Sequence, residues 1–151
     1  KVIGVDMTPA MLERASATAA RHGLTWVDFR QGEAEALPVA DDSVDVVLSN
    51  CVINLAEDKG RVFSEIYRVL KPGGRLEVSD IVTDGAFLPA TIAANGARWA
   101  GCEVGALPEQ EYLDLIAQAG FAPPQVRTRA AADRGDELEM FSLTVSAEKR
   151  D

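Results

Sequence analysis

The sequence predicts an α/β fold with a parallel sheet and crossover helices, on three observations. Short β-rich runs alternate with helical patterns through the first half of the chain, as they do where strands are joined by crossover helices. The run Ser43 to Ser49, with Val44, Val46, Val47 and Leu48, is apolar enough for a strand in the middle of such a sheet. A Leu-Lys-Pro-Gly-Gly segment then separates a helical stripe from a further strand, because Pro and Gly forbid helix continuation.

The elements follow in order. Val2 to Asp6 is an apolar run ending in an acid. Thr8 is placed to cap a helix with Pro9 at its first position, running to about His22 and stopping at Gly23. Trp26 to Arg30 reads as a strand, and Gly32 to Asp42 as a loop with a short turn. In Asp58 to Leu70 the residues Val62, Ile66, Val69 and Leu70 recur at helical spacing. Arg75 to Asp80 resumes as a strand, and residues 81–107, of mixed periodicity, read as a helix-and-loop insertion lying over a site. Glu109 to Ala119 is a helix closed by Gly120, and Gln125 to Thr128 with Met140 to Ala147 form an antiparallel hairpin at a sheet edge.

Composition narrows the function. The 151 residues, 47% of them hydrophobic, suit a single domain with a sizeable core. Twenty-four Asp and Glu against fifteen Lys and Arg give a formal charge of −9, which argues against nucleic acid and for a small-molecule substrate. No apolar run has the length of a membrane span, no leader pattern is visible, and cytoplasm is the expected compartment. The chain opens on Lys1 and is strand-like at once, so a preceding segment is expected.

Three segments carry a resemblance: GVDMTPAMLERA, GEAEALPVADDSVDVVLSN, and an E-x-x-R-V-L-K-P-G-G-R-L turn into a strand ending at Ser79-Asp80. In order and spacing they resemble the class I S-adenosylmethionine-dependent methyltransferases, a Rossmann-like fold. Within these, SNCVINLAEDKGRVFSEIYRVLKPGG and RWAGCEVGAL are similar to the arsenite methyltransferases. The resemblance implies S-adenosylmethionine as cofactor, arsenite or its thiol conjugate as substrate, a small thiol reductant, and a role in arsenic detoxification. One departure stands out. The family's first strand and glycine-rich loop have no counterpart before Gly4, and by analogy that strand lies between Val2–Asp6 and Val44–Ser49. Its absence is expected to open the middle of the sheet and expose two strand edges through which copies of the chain could associate.

The residues can be weighed singly. Asp6, an acid at a strand end, can accept both ribose hydroxyls, or else is an acid favoured by a helix N-terminus. Met7 suits an adenine face or core filling. Gly32, Glu33 and Ala34 occupy the loop that the resemblance places beside adenine, where simple solvation of Glu33 is the alternative. Asn50 ends the central strand, where ligands bind in such sheets, or forms a turn. Cys51 and Cys102 are the expected arsenic ligands, since trivalent arsenic prefers soft sulfur; each alone is equally a buried space-filler. The resemblance commonly adds cysteines from the N-terminal side, so a third sulfur is expected from a preceding segment or a small thiol.

His22, the only histidine, is assigned no catalysis, no acid–base residue is assigned, and no resident metal is expected. Trp99 is expected to pack or to shape the pocket. Two rivals remain open: methyl transfer to a small organic acceptor with both cysteines structural, and an inactive fragment that binds a partner or self-associates.

Overall fold

The computed structural model describes residues 1–85, 105–132 and 139–150. Its strands fall into two sheets. β1 (Val2–Asp6) pairs in parallel with β2 (Val27–Gln31), Val2 opposite Val27 and Asp6 opposite Gln31. The connecting helix α1 (Pro9–Arg21) starts where Pro9 was expected to start it and ends at His22, with Gly23 at φ +66°. Thr8 holds the cap position, but its side chain makes no capping bond; its backbone amide donates instead to Asp6 Oδ1 at 2.7 Å.

The second sheet runs β3-β4-β6-β5, with β3 (Val44–Asn50) parallel to β4 (Leu70–Thr83) and the rest antiparallel. β5 (Gln125–Ala131) and β6 (Met140–Glu148) form the expected hairpin, with β5 at the edge. β4 is longer than the sequence suggested. Leu70 pairs with Val44 and Arg75 with Val46, so Lys71 to Gly74 bulge out of a continuous ladder rather than separate helix from strand. Gly73 takes φ +73°, and a Cβ on Gly74 would lie 2.7 Å from the Lys71 carbonyl oxygen. At its other end β4 runs to Thr83, which takes the first residues of the expected 81–107 insertion into the sheet. Residues 86–104 lie outside the described residues.

The core lies on the four-stranded sheet. α2 (Lys59–Val69) is capped by Asp58, whose Oδ1 accepts the Arg61 amide at 2.9 Å, and it buries Val62, Phe63, Ile66 and Val69. α3 (Glu109–Gln118) buries Tyr112 and Ile116 beside it, and the Phe63 and Tyr112 rings meet edge to face at 5.4 Å. Among the described residues no helix is long and apolar enough to cross a membrane.

No pairing joins β1 to β3 among the described residues, so the sheet is divided where the resemblance located a strand. This corrects the reading of β3 as a buried central strand. Among the described residues one of its long edges has no neighbour, as expected where a strand is missing, and Val46 and Leu48 are 40% and 75% exposed. The Gly32–Asp42 segment ties the halves together: Ala34 and Leu37 pack on the main core, the Leu37 amide donates to Glu65 Oε2 at 2.9 Å, and the Arg30 guanidinium donates to the Pro38 carbonyl at 2.7 Å.

Candidate active site

The carboxyl ends of β1, β2 and β3 bring the expected cofactor residues to two places. At the first, Asp6 closes β1 with Oδ1 engaged by the Thr8 amide, which orients the carboxylate and leaves Oδ2 without a protein donor among the described residues. The Asp6 carbonyl accepts the Gly32 amide at 3.1 Å, and Gln31 Nε2 donates to the Met7 carbonyl at 3.3 Å, so the ends of β1 and β2 are locked side by side. Met7 is 67% exposed and fills no core, which removes the space-filling reading of that residue. Gly32 has a local reason to be glycine, since a Cβ there would meet Pro38 Cδ at 2.5 Å. Glu33 is exposed in a turn closed by the Ala36 amide, and Ala34 is half-buried against the main core.

At the second place Asn50 is exposed and Cys51 half-buried at the end of β3. Cys51 has φ +56°, in the left-handed region that costs a side-chain-bearing residue about 1–2 kcal/mol. The turn is held from behind. The Cys51 amide donates to the Ser79 carbonyl at 2.8 Å, and Asn54 Nδ2 donates to the Ile81 carbonyl at 2.7 Å. Cys102 and Trp99 lie outside the described residues.

Beneath Cys51 sits a cluster to which the sequence reading gave no role. Asp80, 1% exposed, accepts the Tyr112 hydroxyl at 2.7 Å and faces the Asn54 amide. Burial pushes the Asp80 carboxyl up to about 6, opposed by the Tyr112 hydrogen bond and the Lys59 charge. Burial likewise raises the Tyr112 phenol, with smaller contributions from Asp80 and Cys51. Desolvation lowers Lys59, whose ammonium donates to the Ala56 carbonyl at 3.0 Å. The acid at the end of an apolar strand was the available signal for Asp80. Tyr112, 32 residues away, carried none.

A family model described as a methyltransferase domain matches residues 1–120. The chain belongs to the methyltransferase domain family. It is 42% identical over 151 aligned residues to an arsenite methyltransferase of Halobacterium salinarum, covering 97% of this chain and 38% of that protein. The crystal structure of an arsenic(III) S-adenosylmethionine methyltransferase from Chlamydomonas reinhardtii superposes with a TM-score of 0.88 at 37% identity, covering 99% of this chain and 56% of that one. A Haemonchus contortus phosphoethanolamine N-methyltransferase, solved with S-adenosyl-L-methionine, shares the fold at TM-score 0.80 and 16% identity. This methyltransferase chain thus spans well under half of the Halobacterium relative and about half of the Chlamydomonas structure.

The methyl donor of this family is S-adenosylmethionine. The residues present fit its nucleoside part: a carboxylate at a strand end with one oxygen open, an exposed thioether beside it, and a close turn at Gly32–Ala36.

Proposed function

We propose that this chain forms the larger part of the catalytic fold of an enzyme that moves a methyl group from S-adenosylmethionine to trivalent arsenic held by Cys51 and Cys102. In this reading Asp6 holds the ribose, Met7, Gly32, Glu33 and Ala34 surround the adenine, and Asn50 lies toward the methionine end. The observation that carries the reading is Cys51 itself, a cysteine held in a left-handed turn at the carboxyl end of β3, where α/β sheets bind their ligands. Its sequence context is similar to the arsenite methyltransferases.

Bound S-adenosylmethionine supplies a methyl group already activated on a sulfonium. Arsenic(III) has a nucleophilic lone pair, so the residues of the chain need only align acceptor with donor and exclude water; no general base is required. The thiolates bind the substrate, match its softness and fix the direction of the lone pair. A small thiol supplies the third sulfur and the reducing equivalents, the setting is cytoplasmic, and the role is detoxification.

The test incubates the reduced protein with methyl-labelled S-adenosylmethionine and arsenite. Labelled methylarsenic is expected from the full-length enzyme that carries this chain, with a loss of about a hundredfold in Cys51→Ser and Cys102→Ser, since misplacing one reactant costs that order. Methylarsenic formed by both serine variants at the parental rate would contradict Cys51 and Cys102 as the arsenic ligands, and no methylarsenic from the full-length parent would return the reading to a small organic acceptor. Residues 1–151 tested by themselves are expected to bind the cofactor poorly and to associate through the open β1 and β3 edges; a full-length protein that binds no cofactor and sediments only as an oligomer would favour a self-associating module.

A further inference from the structure

Between β2 and β3 the chain from Gly32 to Asp42 has no regular element of its own beyond the Glu33–Ala36 bridge, so its backbone donors and acceptors need partners from elsewhere. One side of α2 supplies them. Arg61, Glu65 and Arg68 follow at the spacing of four and three that lines up side chains along a helix, and all three reach this segment. Arg61 Nε donates to the Glu35 carbonyl at 2.9 Å. Leu37 is gripped on both sides: its amide donates to Glu65 Oε2 at 2.9 Å, and its carbonyl accepts Arg68 Nη2 at 3.1 Å. The same guanidinium donates to the Val39 carbonyl at 2.9 Å and to the Asp41 carboxylate.

The clamp is itself held. Nε and Nη2 of Arg68 each donate to the Glu65 carboxylate at 2.8 Å, a two-bonded pairing that fixes both planes. The Arg68 guanidinium also keeps the Glu65 carboxyl below its ordinary range, so it meets the Leu37 amide as a charged acceptor. The helix that carries both is buried in the core through Val62, Phe63, Ile66 and Val69 and cannot drift. Glu65 and Arg68 are the acid and base that open the E-x-x-R-V-L-K-P-G-G segment, for which methyl transfer itself has no use.

We propose that Glu65, locked by Arg68, is a positioning residue for the cofactor base: through Leu37 it holds the Gly32–Ala36 turn in the place where that turn meets adenine. The turn is strung between two anchors. On one side the Gly32 amide donates to the Asp6 carbonyl at 3.1 Å, next to the candidate ribose carboxylate; on the other, α2 grips Glu35 and Leu37. Remove the second anchor and the turn keeps its link to β1 but loses its fixed approach to the base. A site reads the edge of a base only when its donors and acceptors are held in place, because a loose turn adapts to either edge. The proposal rests on the reading that Gly32, Glu33 and Ala34 surround adenine, and it adds the residues that keep them there.

The experiment titrates the complete enzyme by calorimetry with S-adenosylhomocysteine and with S-inosylhomocysteine, whose base carries an oxo group where adenine has its amine. The parent is expected to prefer the adenosyl ligand by about tenfold or more, as sites that hydrogen-bond a ligand do. Glu65→Ala is expected to lose about tenfold in affinity for the adenosyl ligand and less for the inosyl one, so the preference narrows. Glu65→Gln, whose amide oxygen still accepts the Leu37 amide, restores most of it. A general loosening of the fold would weaken both ligands alike, so equal losses in Glu65→Ala contradict the proposal. Glu33→Ala, which alters the turn itself, separates the two ways of failing. If it loses the preference while Glu65→Ala keeps it, the adenine reading stands and the positioning role falls; if both keep it, the turn does not read adenine and both fall. Should Glu65→Ala not fold, Arg61→Ala removes one bond to the same turn from the exposed side of α2; a narrowed preference supports the proposal and a parental one contradicts it.

Discussion

Residues 44–150 and residues 1–31 share one chain but differ in how they are held. The four-stranded part buries Phe63, Tyr112, Ile53, Leu76 and Leu143 almost completely, with α2 and α3 packed on its sheet. The β1-α1-β2 part buries only Ala19, leaves Met11, Leu24 and Trp26 exposed, and carries an open apolar groove along α1 lined by Met11, Leu24, Val27 and Phe29. Yet the candidate nucleoside contacts Asp6 and Met7 lie on the weakly packed part, Gly32 to Ala34 in the segment that joins the two, and the candidate thiol Cys51 on the well-packed one. On the proposed reading, most of the stability and the first cofactor contacts belong to different stretches of the chain. Local opening should follow the same division.

Phe63→Ala sharpens the contrast most. It removes a ring with no exposure from contact with Tyr112 and should cost about 3–5 kcal/mol in urea unfolding. Met11→Ala, at a half-exposed position of the other part, should change stability by less than about 0.5 kcal/mol. Comparable losses at both sites would break the comparison.

The next effect is in pH. Asp80 is held near 6 in the folded chain against an ordinary 3.8, chiefly by burial. Below pH 4 the carboxyl is protonated in both states and its burial is inexpensive. Between about pH 4 and 6 the unfolded chain ionises first, so stability falls as pH rises through that window, by at most about 3 kcal/mol. Urea midpoints from pH 4 to 7 should show this decline, and Asp80→Asn should flatten it. An equal decline in both proteins would mean that another group is responsible.

A smaller and more local effect is expected at Asp6. With one oxygen engaged by the Thr8 amide and the carboxyl outside any core, Asp6→Ala should leave the melting temperature within a degree or two. Cofactor affinity of the complete enzyme, read by calorimetry, should weaken by about tenfold, or roughly 1.4 kcal/mol. Unchanged affinity would remove Asp6 from the site.

Much of this was legible in the sequence because it is local. Pro9 and Gly23 bracket α1, Asp58 caps α2, and the hairpin of β5 and β6 follows from its two β-rich runs. The division between β1 and β3 was legible through the resemblance. What escaped the sequence is long-range. Tyr112 reaches Asp80 across 32 residues, and Gly105 meets Asn54 across the end of a sheet, with no periodicity to announce either. The open edge of β3 was likewise legible only through the resemblance, because Val46 and Leu48 by themselves report that a strand is apolar, not whether a neighbour lies beside it. The bulge after Leu70 was hidden because Pro and Gly mark a break equally well inside a strand as before it.

The division of labour between the two parts is tested most directly by native-state hydrogen exchange across the whole chain. Amides of Val2–Asp6 and Val27–Gln31 should exchange through local openings well below the free energy of global unfolding. Those of β4 and β6 should exchange only with global unfolding. Equal protection of both sheets, rising and falling together with denaturant, would contradict the account.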